Sequence, residues 1–224
     1  MISQKLAIFD FNGTILNDTD ICVIAGAAEF EYLGLPPLTR EKMRDTFDFP
    51  IIHFFERNGV NAAKYLENVE TLTEIFYNTY EMHVEDAPLH EGIFEILDWL
   101  DSQGFVSIIL SNEVQTKLEG HLKRLNLIDR FEIILGNSKT GMVTSKLNKQ
   151  ERLEAYLSDK DIDLSQSFII GDSLEEPQIA KNLNLTCVSV SAGHIAHDRI
   201  AKANPDILEY NLLDAYKALK ALYA

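Results

Sequence analysis

A doubly wound α/β fold, in which a parallel sheet is covered by helices on both faces, is the architecture this sequence predicts. Three observations predict it. Short apolar runs recur along the chain and are nearly continuous rather than alternating, as central strands of a parallel sheet read when helices bury both faces. Helical periodicity fills the intervals between most of these runs. One long stretch near the N-terminus is helical throughout, which marks an insert rather than a further strand–helix unit.

The predicted strands are Lys5–Phe11, Val106–Leu110, Phe131–Leu135, Ser167–Ile170, Thr186–Val190 and Asp206–Leu208. Ile93, Ile96, Leu97 and Leu100 share one helix face, and Gly104 follows as a stop signal. Val114, Leu118, Leu122 and Leu125 form the next stripe, and Leu153 with Leu157 a shorter one. Pro177 suits the first turn of a helix carrying Ile179, Ala180 and Leu183. From about Asp18 to Val84 no convincing strand occurs; Tyr65, Val69, Leu72, Phe76 and Tyr80 continue one long helix face. Gly34, Pro36, Pro37, Pro50 and Gly59 punctuate the earlier part of that stretch.

Composition bounds what such a chain does. It has 224 residues, enough for one sizeable core with a small appended domain. Its 35 acidic and 20 basic residues give a formal net charge of −15, a surface that repels nucleic acid and anionic membranes. An anionic substrate then needs a local cation or backbone donors. The two cysteines, Cys22 and Cys187, make neither a disulfide framework nor a zinc spacing, and read as buried free thiols in a reducing cytoplasm. The first apolar run is broken by Asp10, so it does not read as a signal peptide, and no apolar stretch reaches the roughly 20 residues of a membrane span. The expected protein is soluble and cytoplasmic.

Ligands of open α/β sheets bind beyond the carboxyl ends of the strands. The first predicted strand ends in Asp10-Phe11-Asn12-Gly13-Thr14, the second in Ser111-Asn112, and a later one in Gly171-Asp172-Ser173-Leu174-Glu175-Glu176. Lys139, Lys146 and Lys149 lie between the last two. A carboxylate can attack phosphorus and split one displacement into two. Crowded carboxylates resist ionising together, and Mg²⁺ relieves that because it prefers carboxylate and phosphate oxygens. A lysine and a strand-end hydroxyl can hold the phosphoryl oxygens, and the glycines let backbone N–H groups come close.

In that order the segments resemble the four motifs of the haloacid dehalogenase superfamily, and the likeness spans essentially the whole chain. Asp10-Phe-Asn-Gly-Thr14 is similar to the first motif, Ser111 to the second, Lys146 to the third-motif lysine, and Gly171-Asp172-Ser173 with Glu176 to the fourth. Gly34-Leu-Pro-Pro-Leu38 and Pro88-Leu-His-Glu-Gly92 resemble the branch containing phosphoglycolate phosphatase. The resemblance implies a Rossmann-like core of residues 1–16 and 88–224, with a helical cap of residues 17–87. It implies a Mg²⁺-dependent phosphatase of a small phosphorylated metabolite. Asp10 would be nucleophile and metal ligand, with Asn12 supplying a backbone carbonyl, Asp172 a direct ligand and Glu176 an outer one through water. Ser111 and Lys146 would bind the phosphoryl group, with Gly13 and Asn112 beside them.

Asn12 departs from the pattern. The family's phosphatases carry there an Asp that protonates the leaving alcohol and then activates water, and a carboxamide does neither. Two readings stay open: a phosphatase with a weakened acid–base step, or a protein that keeps the phosphate and Mg²⁺ site without turnover. Glu175 and Glu176 double as first-turn acids favoured by the helix dipole. His194 and His197 read as a solvated loop or helix start rather than a second metal site, and His53, Phe54 and Phe55 as packing within the insert. The substrate and the oligomeric state are not legible.

Overall fold

The computed structural model describes residues 4–137 and 149–223. The chain opens on β1 (Lys5–Phe9) and leaves the sheet through α1 (Thr19–Leu33), α2 (Arg40–Thr46), α3 (Ile52–Arg57) and α4 (Ala62–Glu81). It returns through α5 (Ile93–Ser102), β2 (Phe105–Val114), α6 (Gln115–Arg124), β3 (Ile133–Asn137) and α7 (Lys149–Leu157). It ends with β4 (Phe168–Gly171), α8 (Glu175–Leu183), β5 (Thr186–Val190), α9 (His197–Lys202), β6 (Ile207–Glu209) and α10 (Leu212–Leu222). All six strands predicted from apolar runs are present, parallel, in the order β3-β2-β1-β4-β5-β6.

Strand alternation distributes the core between the two faces. Ala7 and Phe9 of β1 join Ile96, Leu100, Leu118, Leu212 and Leu219 from α5, α6 and α10 on one side. Leu6 and Ile8 join Leu153, Ile179 and Ala180 from α7 and α8 on the other. Both faces of β1 are therefore dry, which is why its sequence shows no polar alternation.

The stretch from α1 to α4 is helical and carries no strand among its described residues. It has its own core, in which Phe30, Met43, Phe54, Phe55, Tyr65 and Leu72 pack together. Thr39 and Asn61 cap α2 and α4 by accepting from the N–H of Lys42 and Lys64, and Gly34 ends α1 at φ 69°. The two crossings to the sheet pair with each other: Leu16 bridges Leu89, Asn17 N–H donates to Pro88 and His90 N–H to Ile15. This two-stranded neck joins the helical stretch to the sheet.

One boundary differs from the periodicity. Val114 closes β2 instead of opening the following helix. A register break lies between Leu110 and Val114, beyond which Val114 pairs with Asn137. The extension carries Ser111, Asn112 and Glu113 across the end of the sheet.

Candidate active site

Register brings the strand-end residues together. Phe9 lies opposite Ile109 of β2 and Ile170 of β4, so Asp10, Ser111 and Asp172 emerge at one edge of the sheet. Asp10 N–H also donates to the Ile170 carbonyl at 2.9 Å. Thr14 Oγ1 spans the two acids, 3.2 Å from Asp172 Oδ1 and 3.5 Å from Asp10 Oδ2. Two glycines permit this crowding. Gly13 sits at φ 73°, and a Cβ there would collide with the side chains of Asp172 and His194. A Cβ at Gly193 would strike the Asp172 carboxylate and the Gly13 carbonyl.

Among the described residues, the lysine at this site is Lys149, the first residue of α7. Its Nζ donates to Asp10 Oδ1 at 2.7 Å and to Glu176 Oε1 at 2.6 Å, and its side chain is 2% exposed. Lys146, the expected third-motif lysine, lies outside the described residues, as does Lys139. Glu176 is fully buried; its second oxygen accepts from both the N–H and the hydroxyl of Ser173. Both Glu176 oxygens are thus engaged within the protein. Ser111 Oγ accepts from Glu113 N–H at 3.1 Å and lies 3.5 Å from Asn12 Oδ1. Asn112 donates to Glu175 at 2.6 Å.

Asn12 belongs to a second cluster that sequence reasoning did not find. Its amide donates to Asp18 Oδ2 at 2.8 Å and lies 3.0 Å from the Tyr80 hydroxyl, which itself donates to Asp18 Oδ2 at 2.6 Å. Asp18 Oδ1 accepts from Gly13 N–H at 2.8 Å. His194 is not on a solvated loop, as the sequence suggests. It lies buried between Asp172, 3.0 Å away, and Asp18, 3.3 Å away, and its own N–H donates to Asp172 Oδ2 at 2.6 Å. The close approach of Gly193 to Asp172 is what carries it inward. His197 instead meets the Ser191 hydroxyl at 3.0 Å.

Electrostatics divide these acids. Burial pushes the Asp10 carboxyl well above the usual carboxylate range, and Glu176 and Asp172 push it further, against the pull of Lys149. Burial would raise Asp172 as well, but the charge and hydrogen bonds of His194 outweigh it and hold that carboxyl at about 2. His194 shows the converse: burial disfavours its charge, yet Asp172, Cys22 and Asp18 raise its pKa well above the ordinary histidine value. Glu113, buried at the end of β2, is pushed up to about 7 by burial.

The donor set fits a hard divalent cation. Asp10 and Asp172 offer carboxylate oxygens bridged by one hydroxyl, and the elevation of Asp10 reflects burial beside an excess of acid that Lys149 does not neutralise.

The insert roofs the site. Arg44 of α2 donates to the carbonyls of Ser191 and Ile195, Arg199 donates to those of Arg44 and Phe47, and the Phe47 ring lies 5.7 Å from that of His194. A cavity of about 180 Å³ remains between Asp10 and the insert. Phe54 and Phe55 both pack in the insert core and line this cavity, whereas His53 is exposed beside Glu56.

Comparison with known proteins places this geometry. The sequence profile of the haloacid dehalogenase-like hydrolases matches residues 7–190. The chain belongs to the haloacid dehalogenase-like hydrolases. Within this family it is similar to phosphoglycolate phosphatase of Pseudomonas savastanoi pv. phaseolicola, 25% identical over 209 residues, covering 90% of this chain and 74% of that protein. It is also similar to the N-acetylmuramic acid 6-phosphate phosphatase of Pseudomonas aeruginosa, 27% identical, covering 85% of this chain and 83% of that one. A haloacid dehalogenase-like family hydrolase from Streptococcus pneumoniae shares the fold over the full length of both chains, with a TM-score of 0.73 and 17% identity. The family resemblance read from the four motifs is thereby borne out. No helix among the described residues is long and apolar enough to cross a membrane.

Proposed function

We propose that this hydrolase is a Mg²⁺-dependent phosphatase that works through an aspartyl phosphate on Asp10. The observation that carries the reading is the Asp10–Lys149–Glu176 triad beside Asp172, which supplies a nucleophile, a fixed cation and a metal-ligating acid in one place. The relatives named as phosphatases support it.

Asp10, Asp172 and the Asn12 carbonyl would hold the ion, which when bound neutralises acid charge and polarises the phosphoryl group. An Asp10 oxygen attacks phosphorus; the new O–P bond forms as the bond to the leaving alcohol breaks. Lys149 and the Ser111 hydroxyl hold the phosphoryl oxygens, and Glu176 fixes Lys149. The leaving oxygen takes its proton from water, because Asn12 has none to give. A second water then attacks phosphorus, releases inorganic phosphate and returns Asp10. The insert acts as a cap, and the neck at 15–17 and 88–90 is its hinge.

Phosphate release should be measured over a set of alkyl, aryl and sugar phosphates with Mg²⁺, after chelation, and after Mg²⁺ is restored. Release that disappears with chelation and returns with Mg²⁺ is the expected result. A chain that binds phosphate and Mg²⁺ yet releases phosphate from none of these esters is instead the turnover-deficient form that Asn12 leaves open.

A further inference from the structure

We infer that the cavity above Asp10 selects phosphate esters whose leaving alcohol is an apolar, ring-sized body ending in a hydrogen-bond donor, neutral or cationic, and that Glu29 receives that donor. The inference rests on the proposed phosphatase reading and specifies its substrate class.

Size and lining set the body. The cavity holds about 180 Å³, and apolar cavities of about 150 Å³ accept benzene. Beyond the catalytic acids its wall is largely the insert's aromatic and aliphatic side chains, among them Phe47, Phe54, Leu72 and Phe76. Such a wall favours an aromatic or alicyclic group over a short, hydrated one.

Glu29 sets the far end. It lies on α1, is 7% exposed and lines the cavity, and its carboxyl has no hydrogen-bond or ion-pair partner among the described residues. Gly26, one helical turn before it, packs against Leu38, where a Cβ would collide, and the same point lies 4.0 Å from Glu29 Oε2. An unpartnered buried carboxyl is costly unless a ligand completes it. Burial alone pushes this carboxyl well above its ordinary range, and an incoming ammonium or hydroxyl would return it toward the ionised form.

The charge inventory excludes the opposite class. The described residues lining the cavity include four acids, Asp10, Glu29, Glu113 and Asp172. Their basic groups are Lys149, held by Asp10 and Glu176, and His194, held between Asp172 and Asp18. None of these described groups is free to meet a second carboxylate on a substrate, so an ester carrying one is disfavoured.

Two aryl phosphates of equal length test this: tyramine O-phosphate, which ends in an ammonium, and 3-(4-phosphonooxyphenyl)propanoate, which ends in a carboxylate. With Mg²⁺, kcat/KM should favour the ammonium ester by about tenfold or more, and Glu29→Gln should reduce the ratio to about threefold or less. Calorimetric titration with the dephosphorylated pair, tyramine and 3-(4-hydroxyphenyl)propanoate, reads the cavity without turnover, and tyramine should again bind about tenfold tighter. A wild-type ratio at or below one in either measurement overturns the inference while leaving the phosphatase reading standing. A preference that survives Glu29→Gln removes Glu29 from it. If neither ester nor any simple phosphate is hydrolysed, the phosphatase reading fails, and the titration alone decides the cavity's preference. Because the wild-type ratio and the titration need no variant, poor folding of Glu29→Gln would leave the test intact.

Discussion

Replacing Asn12 with Asp supplies the acid that the family's phosphatases use, but the structure adds a cost. The Asn12 amide donates to Asp18 Oδ2 at 2.8 Å. Two ionised carboxylates at that separation repel by about 6 kcal/mol at an effective dielectric near 20. One of them will therefore hold a proton. The folded pKa of that carboxyl then stands above its unfolded value of about 3.9, so stability falls as pH rises above that value. Retaining the proton at pH 7 costs up to about 4 kcal/mol. Asn12→Asp should thus unfold at lower denaturant at pH 7–8 than the wild type and recover near pH 5. Asn12→Asp/Asp18→Asn restores a donor–acceptor pair and should recover most of that loss. General acid–base catalysis is typically worth about 10²–10⁴ in rate. Turnover of alkyl phosphates should rise toward that range, most in the double variant, while aryl phosphates gain less because their leaving groups need no proton. Denaturant titrations at pH 5 and 8, with phosphate-release assays on both ester classes, check this. Peptide mass spectrometry must accompany them, since Asn12-Gly13 is prone to deamidation. Equal stability of Asn12→Asp at both pH values would refute the contact. No gain on any ester by either variant would remove position 12 from proton transfer.

Lys149→Met leaves Asp10 and Glu176 facing each other without their shared cation. It should cost about 3–5 kcal/mol in denaturant unfolding at pH 7 and lower phosphate release by about 10³ or more; Lys146→Ala should do neither, and the reverse ranking would return the role to Lys146. Glu113 titrates at about 7 in the folded chain and at about 4.3 unfolded. Its folded pKa is raised, so the folded state holds the proton longer and stability declines between those pH values, by roughly 4 kcal/mol in all. Glu113→Gln should flatten that part of the pH–stability curve, and an unchanged slope would mean that Glu113 ionises freely.

The sheet was legible because a strand dry on both faces must be apolar throughout, and β1 with Leu6, Ala7, Ile8 and Phe9 has no room for alternation. Asp10 and Asp172 were legible because a carboxylate directly after such a run stands at the ligand-binding edge. Of the short α9 only a helix start near His197 was legible. The last helix, α10, escaped notice, although Leu212, Ala215 and Leu219 keep helical spacing and pack in the core. Spacing pointed to Lys146 rather than Lys149; the burial of Lys149 against Asp10 and Glu176 is a tertiary fact that no spacing shows. Asp18, Tyr80 and His194 meet only after α4 packs against α1 and the 191–197 loop turns inward, so separations of 62 residues (Tyr80 to Asp18) and 176 residues (194 − 18) hid the cluster. A usable signal existed for His194: it follows a glycine just beyond the end of β5, the same edge that carries the other site residues.

Asp10 as the phosphorylated residue is the centre of the account. Its most direct test is to mix the protein with a labelled aryl phosphate and Mg²⁺, quench in acid within the first turnovers, digest, and locate the label by mass spectrometry. Without an acid–base residue at position 12, hydrolysis of the intermediate should be slow and the phosphoenzyme should accumulate. The account predicts an acid-stable, hydroxylamine-sensitive phosphate on the peptide containing Asp10, absent from Asp10→Asn. Phosphate release by that variant at the wild-type rate, or a label carried on any other residue, would contradict it.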